Sequence, residues 1–182
     1  MDAEIDEGAI PALAAPPRQV ANYLGGLRAV LAEAVESRRS WTRELGKLAD
    51  DARQQQRVLV AQQAGRVGHR QGEAFRGLRA RLNQLSPPPG CLICHRAVVS
   101  WLDIQLAACD VMVEVGTSGE PAELRRVQRV LADGREQARR FNTEYRQILD
   151  SLREAVRVGT LRRRERERER RRRAAERARR IR

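Results

Sequence analysis

Apolar residues recur every three or four positions along most of this 182-residue chain, the spacing that lines one face of an α-helix. Near the start, Leu24, Leu31, Leu45, Ala52 and Leu59 fall in one heptad phase, and Leu27, Ala34, Trp41 and Leu48 in a second. Polar Arg38, Gln55 and Gln62 interrupt them. The next apolar set (Phe75, Leu78, Leu82, Leu85) lies two residues out of phase with Leu59. Gly65, Gly68 and Gly72 stand between, so the pattern predicts a break or strong distortion over 65–72, with helices at about 18–64 and 72–85. Ser86-Pro87-Pro88-Pro89-Gly90 ends the second of these.

A third helix is expected over 91–115, with a broad apolar face of Leu92, Val98, Val99, Trp101, Leu102, Leu106, Ala108, Cys109, Met112 and Val113. That face predicts the most buried element. Gly116 to Pro121 reads as a turn in which Thr117 and Glu120 fit a capping box. A last body helix follows over 120–158, carried by Leu124, Val127, Leu131, Ala138, Phe141, Tyr145, Ile148, Leu152 and Ala155 and broken only by Gly134. At about 1.5 Å per residue it would span roughly 58 Å, against about 38 Å for the helix before it. Its overhang needs either the long first helix or a second subunit, so a homodimer is an expected arrangement. The fold class that results is all-α, an elongated antiparallel helical bundle or coiled coil.

Composition agrees. Hydrophobic residues make up 41% and charged residues 33% of the chain, and Ala, Leu, Arg, Glu and Gln, all good helix formers, dominate. The length suits one domain with tails. Residues 1–17 are acidic (Asp2, Glu4, Asp6, Glu7), contain Pro11, Pro16 and Pro17, and read as a disordered arm whose last prolines fit the opening of a helix. That start lacks the apolar core of a secretory signal. The most apolar stretch, Ala97 to Val115, contains Ser100, Asp103, Gln105, Asp110 and Glu114, which excludes a membrane span. Three cysteines in a chain without an export signal imply reduced thiols, so the expected location is cytoplasmic.

Charge changes the picture most. Of the formal net +12, a tail over 159–182 carries +9: thirteen arginines (Arg162, Arg163, Arg164, Arg166, Arg168, Arg170, Arg171, Arg172, Arg173, Arg177, Arg179, Arg180, Arg182) against four glutamates. Gly159-Thr160 punctuates the helix before it. Glu167 and Glu169 precede arginines by three and four residues, which supports a helix, while Arg–Arg neighbours fray it until an anion neutralises them. Such a segment points to nucleic-acid phosphates contacted without sequence preference, or to an acidic protein surface. Its few apolar residues (Leu161, Ala174, Ala175, Ala178, Ile181) argue against insertion into a membrane. A second excess of +6 lies over Arg53–Arg81, where Arg66, Arg70, Arg76 and Arg79, with His69, surround glycines that would let backbone approach a phosphate. Phe75 offers a stacking face there, but its spacing with Leu78 and Leu82 makes it a core residue. No motif for base-specific reading is visible.

Cys91-Leu92-Ile93-Cys94-His95 reads as C-x-x-C-H and resembles the haem-attachment signature of c-type cytochromes. That resemblance implies thioether bonds at Cys91 and Cys94, with His95 as an axial ligand, on a helix bundle. Zinc is a second use, although Cys109 lies about 21 Å further along the same helix and a fourth ligand would have to come from His69 or another subunit. A third is redox chemistry, since Cys91 falls near a helix N-terminus, where the dipole lowers a thiol pKa. The plainest reading is that Cys91, Cys94 and Cys109 pack as small apolar residues. Carboxylates are dispersed and neither histidine has an evident orienting acid. The expectation is therefore a non-enzymatic binding or assembly protein, with a haem, metal or thiol protein, or a coiled-coil scaffold, as alternatives.

Overall fold

A computed structural model describes residues 14–53 and 57–180, the side chains as far as Arg177. The expected disorder of the acidic arm falls mostly outside these residues. The fold is an all-α bundle of four helices: α1 (Pro17–Arg53), α2 (Arg57–Asn83), α3 (Leu92–Ser118) and α4 (Leu124–Arg180), with a 3₁₀ turn at Pro121–Glu123 leading into α4. Neighbours run antiparallel. Arg81 pairs with Glu33 and Arg70 with Glu44 across α1 and α2. Arg79 meets Asp103 and Gly68 lies on Met112 across α2 and α3, while Arg126 meets Glu114 and Gly134 lies on Gln105 across α3 and α4.

α1 and α3 therefore run the same way and meet across the core. Trp41, fully buried, donates its Nε1–H to Met112 Sδ at 3.0 Å and stands edge-on to Phe75 with ring centroids 5.8 Å apart. Leu27, Leu48, Leu82, Leu102 and Val98 extend this core along the bundle axis. α3 packs most extensively, against both α2 and α4, as its broad apolar face predicts. Leu92 is an exception to that face; it is 45% exposed, as is Ile93.

The expected break over 65–72 does not occur. α2 is continuous through all three glycines, and the long first helix predicted to reach residue 64 instead ends at Arg53, with a second helix starting at Arg57. Residues 54–56 lie outside the described residues. The apparent slip has a packing cause. Ala61, Gly65, Gly68, Gly72 and Phe75 keep an unbroken four-three heptad and are buried, but three of those core positions carry no side chain for a hydrophobic pattern to register. Their absence lets two backbones touch: a Cβ on Gly116 would lie 2.6 Å from Gly65 Cα, and one on Gly68 would lie 2.7 Å from the Cys109 carbonyl oxygen. Leu59, assigned to the core by the first heptad, is 61% exposed because the new helix starts in a different rotation.

The same crossing moves the end of α3. Gly116 stays helical against Gly65, so the helix runs on from 115 to Ser118, and Gly119 takes the left-handed conformation (φ 73°) that closes it, its N–H on the Val115 carbonyl. The capping box expected from Thr117 and Glu120 does not form: Thr117 is still inside α3 and donates to the Val113 carbonyl. Pro17 opens α1, as the proline pair predicts. Arg38, a polar interruption in the first heptad, covers Trp101 with its guanidinium 5.6 Å above the ring.

Candidate functional site

The last helix does not stop at 158. α4 runs 57 residues, about 85 Å, straight through Gly159 and Thr160. No side chain of the bundle lies near Gly159, and Thr160 donates its hydroxyl back to the Val156 carbonyl, so the pair sits inside the helix rather than ending it. Gly costs a helix interior about 1 kcal/mol, whereas the long run of Arg and Glu beyond it favours propagation. Every described side chain from Gly159 to Arg177 is exposed.

A continuous helix fixes the azimuth of each arginine. At about 100° per residue, Arg162, Arg163, Arg166, Arg170, Arg173 and Arg177 fall within an arc of about 100° and a rise of about 22 Å, and no glutamate falls inside it. A shallow open groove lined by Gly159, Arg162, Arg163, Arg166, Glu167 and Arg170 follows that stripe. Arg164, Arg168, Arg171 and Arg172 share the other side with the glutamates. There Glu167 accepts from Arg171 at 2.8 Å and Glu176 from Arg172 at 3.3 Å; at the edge of the stripe Glu169 accepts from Arg173 at 2.8 Å. The Arg173 hydrogen bond holds the Glu169 carboxyl below its ordinary range. Arg162, Arg163, Arg164, Arg166, Arg168, Arg170 and Arg177 make no ion pair among the described residues. The backbone of Arg179 and Arg180 continues the helix, and Arg182 lies outside the described residues.

The secondary basic stretch is a different environment. Arg70 pairs with Glu44 at 2.6 Å, Arg79 with Asp103 at 2.8 Å and Arg76 with Asp110 at 3.7 Å, so these cations already face carboxylates on neighbouring helices. Arg66 and His69 are exposed on the same helix. Gly65 and Gly68 point into the bundle against α3, so the close backbone approach expected for a phosphate is occupied there by another helix, while a Cβ on Gly72 would meet only the Arg76 guanidinium of its own helix.

The C-x-x-C-H segment straddles the start of α3. Cys91 is its N-cap, yet Cys91, Cys94 and Cys109 are all free and buried. Burial pushes the Cys91 thiol up and takes Cys94 and Cys109 up to about 12, opposite to the lowering expected from the helix dipole, because desolvation outweighs it. His95 is half-buried; burial, then nearby Arg79, lowers its pKa. The Tyr23 hydroxyl and His95 Nδ1 are hydrogen-bonded across 3.2 Å. Burial, then Cys94 and Cys91, raises the Tyr23 pKa, so its hydroxyl stays protonated. Thiols turned into the core and a histidine engaged by α1 do not fit covalent haem. No group of three His, Cys, Asp or Glu side chains is placed to hold a metal among the described residues. His69, beside Gly68 at the level of Met112, stands about 25 Å along α3 from His95.

No protein-family profile, curated protein or solved structure matches this chain. Among the described residues, no helix is long and apolar enough to cross a membrane. At the far end of the bundle a cavity of about 430 Å³ lies between Arg53, Arg57, Glu120 and Arg125. It contains no nucleophile and base within reach of one another. The geometry that sequence reasoning missed is the single-sided stripe on α4. Its signal was present as the 4-4-3-4 spacing of Arg162, Arg166, Arg170, Arg173 and Arg177, which becomes a face only if Gly159 does not end the helix.

Proposed function

We propose that the protein is a non-enzymatic cytoplasmic helical bundle that binds nucleic acid without sequence preference, through the arginine stripe on the projecting part of α4. The observation that carries this reading is the stripe itself: six guanidinium groups on one exposed helical face, with the balancing glutamates turned aside or at its edge. Arginine suits this task because its planar fork pairs with two phosphate oxygens at once. The near absence of bulky apolar residues beside the stripe favours phosphate over a lipid surface. Phosphates along one DNA strand offer charges at intervals of about 3.4 Å of axis, so a rise of about 22 Å can meet several of them.

Each duplex phosphate neutralised contributes about −0.9 to the slope of log affinity against log salt, so five or six contacts give a slope of about −5. The test is fluorescence anisotropy of duplex DNA and of RNA with the full chain and with a 1–160 truncation, from 50 to 300 mM salt. The full chain should show that slope, and the truncation should lose most of the affinity. Equal affinity and slope for both proteins would remove the tail from the function.

A further inference from the structure

The arginines of the projecting helix form two faces, and the faces are opposed. At about 100° per residue, the centre of the stripe from Arg162 to Arg177 stands about 180° from the centre of a second set, Arg164, Arg168, Arg171 and Arg172. That second set fills an arc of about 100° and rises about 12 Å. Arg164 and Arg168 on it make no ion pair among the described residues, and neither do Arg166 and Arg170 on the first.

The two sides between these faces are unlike. Glu165, Glu169 and Glu176 share one of them, within an arc of about 40°. The other is a column of Thr160, Glu167 and Ala174, in which the Glu167 carboxylate is held by Arg171 at 2.8 Å and the Thr160 hydroxyl by the Val156 carbonyl. Around its circumference the helix thus runs from cation to acid to cation to a nearly neutral side. All of that circumference is open, because every described side chain from Gly159 to Arg177 is exposed. A helix resting on the bundle would offer one face only.

One flat polyanionic surface cannot meet cations on opposite sides of a helix, whereas two facing walls of phosphate can. The major groove of B-form DNA has such walls about 12 Å apart, and an α-helix with its side chains measures about 10–12 Å across. We propose that the tail of α4 lies in the major groove of duplex DNA, one arginine face on each phosphate wall. The column of Thr160 and Ala174 then turns toward the bases and the three glutamates of the acidic side toward solvent. This placement rests on the nucleic-acid reading above and narrows its substrate to the B-form duplex. The phosphate contacts are divided between two walls, and the column facing the bases offers them little to read, as binding without sequence preference requires. An RNA duplex has a deep, narrow major groove that does not admit the helix, and a single strand has no second wall.

The test compares the full chain with two full-length variants, R166Q/R170Q and R164Q/R168Q. Each takes two unpaired cations from one face and puts a good helix former in their place. Anisotropy is read against a DNA duplex, an RNA duplex of the same sequence and a single DNA strand. Each variant should lose several-fold in affinity for the DNA duplex, and its salt slope should be shallower by about 2. The parent should bind the RNA duplex several-fold more weakly than the DNA duplex. At saturation, dimethyl sulfate should no longer methylate guanine N7, which lies in the major groove, while adenine N3 in the minor groove stays reactive. Unchanged DNA binding by R164Q/R168Q overturns the groove docking and leaves the nucleic-acid reading standing. Guanine N7 that stays reactive also overturns it; with losses in both variants, that result would assign the two faces to two duplexes. An RNA duplex bound as tightly as DNA overturns it as well. If the parent binds none of the three, the nucleic-acid reading itself fails.

Discussion

Replacing Gly68 by alanine should destabilise the protein, although alanine is the better helix former. On propensity alone, a Gly→Ala change inside a helix gains about 0.5–1 kcal/mol. At Gly68 the new Cβ would lie 2.7 Å from the Cys109 carbonyl oxygen, 2.9 Å from Met112 Cβ and 3.0 Å from the Val113 nitrogen. Two of these three are backbone atoms of α3, which cannot swing aside. Restoring ordinary contact, at 3.4 Å or more, means moving α2 and α3 apart by roughly 0.7 Å, which forfeits part of the attraction along the whole crossing. Overpacking of this kind costs about 1–3 kcal/mol, so the net loss is about 1–2 kcal/mol. Gly77 is the control. It lies in the same helix, exposed, with nothing within 4 Å of its added Cβ, and Gly77→Ala should stabilise by about 0.5–1 kcal/mol. The two variants should therefore differ by about 2 kcal/mol or more, equivalent to about 4–8 °C in Tm for a chain of this size. Urea titration followed by far-ultraviolet circular dichroism measures both, with the midpoints moving in opposite directions. If Gly68→Ala gains as much as Gly77→Ala, the two backbones are not in contact and the account of α2 fails.

Trp41→Ala removes a fully buried ring from between Phe75 and Met112 and should cost about 3–5 kcal/mol, read as a large drop in urea midpoint. Every described side chain that truncation after residue 160 removes is exposed, so helical signal should fall while Tm stays within about 2 °C; a larger drop would mean that the tail packs on the bundle. The thiols give a pH dependence. In the unfolded chain they ionise near their ordinary value, whereas burial holds Cys94 and Cys109 neutral up to about 12, so above about pH 9 the unfolded state binds fewer protons and stability falls as pH rises. By pH 10 the loss should be about 1 kcal/mol for each of these thiols. The double variant Cys94→Ala and Cys109→Ala should show a flatter profile between pH 8 and 10. An unchanged profile would contradict their burial.

Much of this was legible in the order of residues. Leu27, Ala34, Trp41 and Leu48 are all core residues of α1, and Val98, Trp101, Leu102, Ala108, Cys109 and Met112 of α3, because a large apolar side chain at helical spacing has few places to go but inward. Phe75 was recognised as core despite its arginine neighbours, and the Pro-Pro-Pro-Gly and Gly119 turns fall between helices where turn chemistry places them. α2 was legible only in part. Its core is built at Gly65, Gly68 and Gly72 from the lack of side chains, and a hydrophobic pattern reads a missing side chain as a break.

What the sequence determined by itself is therefore the all-α class, the apolar faces and the position of the charge, since these depend on local propensity and on side chains repeating with the helical period. What only tertiary structure decided depends on partners far along the chain. Gly65 and Gly116 allow each other's backbone to approach. Desolvation on packing overrides the helix dipole at Cys91. Carboxylates on neighbouring helices meet Arg70, Arg76 and Arg79, while Arg162, Arg163, Arg166, Arg170 and Arg177 project beyond the bundle and pair with no carboxylate among the described residues. Charge is a property of composition; whether it is free to bind is settled by what the fold places opposite it.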